Sequence, residues 1–288
     1  MELDVQNPLT SLDDLQNAGV ASLFSVESHH APSPFSFRPS EPRSSLRRTV
    51  FSLISRAKLS HDLDPFLVYL AGNYADRFLS EQQIPEKRPW MAHVLVVASL
   101  SIAAKTTNAD LSVPLSQLQR EEDFEVDSRW VHRMEKVLLA TLQWRTRYLT
   151  PFSFLRCFIS ISGIDGSRLA HRLEHRASQI ILGAQQEFEI LVFKPSAIAA
   201  SAVLCSIHEL TPQNFPSSES AIYSCEYLNK DAVLECVGVM QGITRNGGYE
   251  LGTGATESCT STPISVLDEQ CTSSGSVEGT PSLSDNDV

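Results

Sequence analysis

This sequence lacks every spacing by which cysteine builds structure: its six cysteines, Cys157, Cys205, Cys225, Cys236, Cys259 and Cys271, include no Cys-x-x-Cys pair. Several sit inside apolar helical stretches, so they read as reduced intracellular thiols and not as a disulfide framework or a zinc site. Long apolar runs are missing too. The longest, Val94 to Ala104, is about half of the roughly 20 residues that a membrane helix needs. The N-terminus shows no basic region followed by an apolar one, so a soluble chain without a secretion signal is expected. There is no basic excess: 23 Lys and Arg stand against 34 Asp and Glu, for a net charge of −11. Residues 1–44 hold six acidic and two basic side chains, and residues 246–288 hold seven acidic and none basic, which leaves residues 45–245 balanced at 21 of each. A domain balanced in this way lacks the electrostatic footprint of a nucleic-acid reader, and neither nucleic acid nor membrane is an expected partner. No convincing alternating strand pattern occurs anywhere, which leaves the helix as the organising element.

What is present is a 288-residue chain with 42% apolar residues, enough to bury a substantial core. Both ends are poor in large apolar residues and are expected to be disordered tails, 1–44 and the acidic Ser/Thr-rich 246–288. Thr262 and Thr280, each followed by proline, are candidate phosphosites for proline-directed kinases. Between the tails, punctuation of the Asp64-Pro65, Arg88-Pro89, Val113-Pro114, Thr150-Pro151 and Lys194-Pro195 type opens apolar stretches of helical length. Phe66, Leu70, Tyr74 and Phe78 recur at spacing four, as do Trp130, Met134, Leu138 and Leu142, so both segments predict amphipathic helices. The spacing predicts helices over about 45–59, 65–79, 89–105, 114–119 and 128–144, then 151–162, 167–189, 195–209, 218–228 and 231–243. Each set centres on a third helix rich in small residues (SLSIAAK; SAIAASAVL). The reading is all-α: two tandem five-helix domains, 45–149 and 150–245.

Particular strings go further. DPFLVYLAGNYADRFLS from Asp64 to Ser80, SLSIAAK ending at Lys105, RMEKVLLATLQWR followed by TPFSF, and then HRASQIIL and FKPSAIAASAVL together resemble the cyclin family, and within it the short plant D-type cyclins. The likeness covers roughly residues 45–243 and implies two tandem cyclin boxes. It also implies a non-catalytic subunit without a cofactor, which binds and allosterically activates a cyclin-dependent Ser/Thr kinase and promotes G1/S entry or cell division. A plant A-type kinase is the implied partner, cyclin-dependent kinase inhibitor proteins are candidate further partners, and the nucleus, with the cytoplasm as a second compartment, is the implied location.

Carried over residue by residue, the resemblance assigns Arg47 and Asp76 as a structural ion pair inside the first box. It assigns Lys105 and Glu135 as the charged groups that grip the kinase, with Leu139 and Trp144 supplying the apolar part of that contact. Leu46, Val50 and Leu53 fall at the family's exposed substrate-docking patch. Two departures bear on function. Lys105 is followed by Thr106, Thr107 and Asn108 where the family carries a bulky apolar residue and glutamates. No cysteine precedes Cys157, so the Leu-x-Cys-x-Glu motif by which most plant D-type cyclins hold retinoblastoma-type proteins is absent, which implies such a protein only as an indirect substrate.

Two other patterns point elsewhere. His171-Arg172-Leu173-Glu174-His175 matches one class of zinc peptidase, but Leu169, Leu173, Ala177, Ile180 and Ala184 mark the opposite side of that helix as buried, so the histidines are expected on a solvated face and no metal site or enzyme is read from them. The glycines of GGYELGTG, within residues 247–254, lack the lysine of a phosphate-binding loop. The alternative function is a transcription-factor-like module that binds DNA or protein, because two-box helical folds of this kind occur there as well.

Overall fold

The computed structural model describes residues 23–25, 27, 41–82, 90–118, 120–121, 124–164 and 166–245. From Glu41 onward the described residues form a first set of five helices: α1 (Glu41–His61), α2 (Pro65–Glu81), α3 (Trp90–Thr107), α4 (Ser112–Leu118) and α5 (Ser128–Thr141). Five follow: α6 (Phe152–Ile161), α7 (Ser167–Ala184), α8 (Pro195–Leu210), α9 (Phe215–Tyr223) and α10 (Lys230–Arg245). A two-residue antiparallel ladder, β1 (Arg120–Glu121) with β2 (Phe124–Glu125), precedes α5. It is too short to disturb the all-α class.

The chain starts its helices where local chemistry satisfies their orphan amides. The Asp64 carboxylate accepts from the amides of Phe66 and Leu67 at 2.9 and 3.1 Å with Pro65 at the first helical position, and Asp127 accepts from the Arg129 amide at 2.8 Å. α3 is buried from Val94 to Ala104 and is surrounded by α1, α2, α4 and α5. Its length and composition would suit a bilayer, but most of its surface is covered by this bundle, as for the core helix of a globular fold. α8 repeats the arrangement, buried from Ser196 to Ile207 and ringed by α6, α7, α9 and α10. Alanine and serine at those positions let neighbours approach closely on every side.

The two sets pack within one compact unit. Where α2 meets α7, the Gln185 side-chain amide donates to the Tyr69 carbonyl at 3.0 Å. Gly72 makes room for it, since a Cβ there would lie 2.8 Å from Gln185 Nε2. Phe152, opening α6, packs between Phe66 and Tyr69 with ring centroids 5.7 and 5.4 Å away.

Four expectations are corrected. The first helix begins at Glu41, inside the segment read as a disordered tail. Residues 23–25 and 27, in the same segment, are helical, with Leu23, Phe24 and Glu27 buried. Phe24 stacks on Tyr227 at 5.2 Å and tilts against Phe154 at 5.2 Å, so its ring packs against the second set, a contact that no local pattern announces. The helix expected over 167–189 ends at Ala184 and a 3-10 turn, Glu189–Val192, follows. Val50 is fully buried, on the same side of α1 as Arg47, Ile54 and Ala57. It belongs to the core and not to an exposed docking patch, and Leu46 and Leu53 beside it are half-buried against that core. Thr262 and Thr280, with the rest of residues 246–288, lie outside the described residues.

Candidate functional site

The Arg47 guanidinium is a buried charge held from several sides. It meets Asp76 in a two-point pair, Nε to Oδ1 at 2.8 Å and Nη2 to Oδ2 at 3.0 Å, with both side chains at most 2% exposed. Its remaining donors reach the carbonyls of Gln185 and Gln186 at 2.6 and 2.5 Å, and Phe51 and Phe188 lie over it at 4.3 and 4.6 Å. A buried charge is tolerable only when its hydrogen-bonding capacity is met in this way. The pair therefore does more than dock α1 on α2, because it also anchors the C-terminal end of α7 from the second set.

Lys105 and Glu135 come together where α3 lies along α5. Lys105 Nζ is 2.7 Å from Glu135 Oε1, with the lysine side chain 65% exposed and the glutamate side chain 11%. Ser101, one turn before Lys105, donates to the same oxygen at 2.5 Å. Burial pushes the Glu135 carboxyl up, but the hydrogen bonds from Lys105 and Ser101 and the nearby positive charge outweigh it and hold the group below its ordinary range. The pair thus presents an exposed ammonium above a pre-positioned carboxylate. Serine at 101 was not foreseen from sequence, although its spacing of four from Lys105 places both on one face of α3.

Leu139, one turn beyond Glu135, packs half-buried against the core. Trp144 does the reverse and is 74% exposed. Past the last residue of α5, Gln143 and Trp144 both take left-handed backbone, with φ of 52° and 60°, and the Trp144 amide donates back to the Leu139 carbonyl at 2.9 Å. Two successive non-glycine residues in that region carry strain of about 1–3 kcal/mol each, and the result is a large aromatic thrust into solvent. The following stretch of chain is fixed by Tyr74 of α2, whose hydroxyl donates to the Thr146 carbonyl at 2.5 Å. Tyr74 thus ties α2 to the linker beside Trp144. Lys105, Glu135 and Trp144 belong to adjoining elements, while Leu46, Val50 and Leu53 lie on α1. His171 and His175 sit on the solvent side of α7, and among the described residues no cluster of His, Cys, Asp or Glu could hold a metal ion.

Comparison with known proteins follows the same division. The cyclin N-terminal domain matches residues 19–147 and the cyclin C-terminal domain residues 149–251, the first reaching back over the buried Leu23, Phe24 and Glu27. Among curated proteins, putative cyclin-D6-1 of Arabidopsis thaliana is 38% identical over 91% of this chain and 87% of its own length. Cyclin-D6-1 of Oryza sativa subsp. japonica is 32% identical over 98% and 86%. Among solved structures, a viral cyclin from herpesvirus saimiri superposes with a TM-score of 0.57 at 19% identity, covering 69% of this chain and 85% of the viral one, which speaks for the fold. With both domain matches covering the helical core and plant D-type relatives aligned along nearly its whole length, the chain belongs to the cyclin family, as a divergent plant D-type cyclin.

Proposed function

We propose that this chain is the regulatory subunit of a cyclin-dependent Ser/Thr kinase, which it binds and activates without contributing a catalytic residue. The observation that carries the reading is the α3–α5 edge: an exposed Lys105 paired at 2.7 Å with a nearly buried Glu135, and an exposed Trp144 in strained backbone at the end of α5. Charge-assisted donors and acceptors held rigidly beside an aromatic anchor are the ingredients of an interface hot spot. The chemistry stays in the kinase, where activity requires the lysine of strand three to meet the glutamate of the C helix. A subunit that binds the active arrangement better shifts the population towards it, and moving from about 1:99 to 99:1 takes roughly 5.5 kcal/mol of differential affinity.

The reading extends to a plant A-type kinase as the partner, to inhibitor proteins that recognise the assembled pair, and to a role at G1/S in the nucleus. A retinoblastoma-type protein is reached as a substrate through the kinase's own recognition, since no cysteine precedes Cys157 to form the tail motif. The test is to mix the purified full chain with a purified plant A-type cyclin-dependent kinase. A stable complex with raised phosphorylation of a histone substrate is expected; a chain that elutes alone and leaves the kinase at its basal rate overturns the reading.

A further inference from the structure

The outer face of α7 carries a charge pattern that runs against the net charge of −11. At about 100° per residue, Arg168, His171, Arg172 and His175 share the side opposite the buried Leu173, Ala177, Ile181 and Ala184. Arg168, Arg172 and His175 are exposed, and the His171 side chain is 78% exposed. Arg176 continues the row at its edge.

Among the described residues, the neighbouring acids Glu174 and Glu209 stand at the borders of this strip and are engaged. Glu174 lies 3.3 Å from Arg156 of α6 and 3.9 Å from His171. Glu209 of α8 holds Arg176 in a two-point pair at 2.5 and 3.2 Å. Among the described residues, no carboxylate forms a salt bridge with Arg168, Arg172 or His175. A helix rises about 1.5 Å per residue, so the pairs Arg168/Arg172 and His171/His175 repeat along it at about 6 Å. An extended strand repeats its same-side residues at about 6.6–6.8 Å. Planar guanidinium groups match carboxylates in a two-point geometry.

We propose that this face docks an extended acidic segment of a partner protein, with Asp or Glu at alternate positions. Nucleic acid fits less well: the strip offers no aromatic platform for base stacking, and it spans only about 12 Å along the helix. The surface belongs to the second helical set and shares no residue with the Lys105–Glu135 edge, so it stands or falls independently of the kinase-subunit reading.

The experiment is fluorescence anisotropy of a labelled peptide of alternating glutamate and serine titrated with the full chain, wild type and Arg168→Glu/Arg172→Glu. Saturable binding is expected, weakening by about tenfold or more when salt rises from about 50 to 300 mM. The double variant should lose at least about tenfold in affinity, with its melting curve and its activation of a kinase unchanged. If the reversed charges perturb folding, Arg168→Gln/Arg172→Gln replaces that variant, with the same direction of effect expected. Equal binding by wild type and a folded variant overturns the proposal, as does no binding at all. Tighter retention of a single-stranded oligonucleotide than of the peptide, lost in the same variant, would overturn it in favour of nucleic acid.

Discussion

Exchanging the charges of Lys105 and Glu135 in one chain, Lys105→Glu with Glu135→Lys, separates an interface role from a structural one. The two groups are 2.7 Å apart, so the exchange keeps an opposite-charge pair inside the protein. The Ser101 hydroxyl, a donor to Glu135 at 2.5 Å, can turn to accept from an ammonium. Because the Lys105 side chain is 65% exposed, solvent screening limits the pair to about 1 kcal/mol or less. The melting midpoint should then move by no more than about 2–4 °C. A kinase surface facing the pair would meet both charges inverted. Truncating hydrogen-bonded charges in a partly desolvated interface costs about 2–5 kcal/mol, roughly a 30-fold to 4,000-fold loss of affinity, and inversion should cost at least as much. Circular dichroism melts and a titrated kinase pulldown read the two effects separately. Should the exchange unfold the chain, Lys105→Ala serves in its place, since truncating an exposed side chain spares the core. A variant that melts normally and still activates a cyclin-dependent kinase as well as wild type would refute the assignment of this edge.

Arg47→Ala strands Asp76 and releases the carbonyls of Gln185 and Gln186, so it should cost about 3–5 kcal/mol and lower the melting midpoint by on the order of 10 °C; a drop within error would show that the pair is dispensable. Gly72→Val puts side-chain carbon against Gln185, whose Nε2 would lie 2.8 Å from the new Cβ. Adding Gln185→Ala should recover part of the loss, and a double-mutant cycle without coupling of at least about 0.5 kcal/mol would count against that contact. Trp144→Ala removes a side chain 74% exposed, so stability should stay within about 0.5 kcal/mol while kinase affinity falls about tenfold. The Glu135 carboxyl is held below its reference value of 4.5, so its ionised form binds protons less readily folded than unfolded. Its stabilising contribution is therefore present above about pH 4.5 and lost as pH falls through the lower folded value. Glu135→Gln should flatten the dependence of melting temperature on pH in that acidic window, and an unchanged slope would contradict the linkage.

Local chemistry along the chain is enough to place the helices and their grouping. Proline and aspartate at helix starts and apolar spacing of four are local signals, and they located both sets and their buried central helices, α3 and α8, to within a few residues. Arg47, Asp76, Lys105 and Glu135 were singled out by the resemblance to the cyclin family and not by any local signal. What those residues touch depends on how distant segments pack in the folded chain. Arg47 reaching the end of α7 joins positions 138 and 139 residues apart, and Glu27 capping Ser196 at 2.7 Å spans 169; no periodicity encodes contacts of that range. Val50 was misplaced for the same reason, because a residue on the flank of an amphipathic helix is buried or exposed according to how its neighbours cross it. Trp144 shows the converse: its residue type favours burial, and the left-handed turn after α5, set by the closing hydrogen bonds of that helix, turned it out to solvent instead.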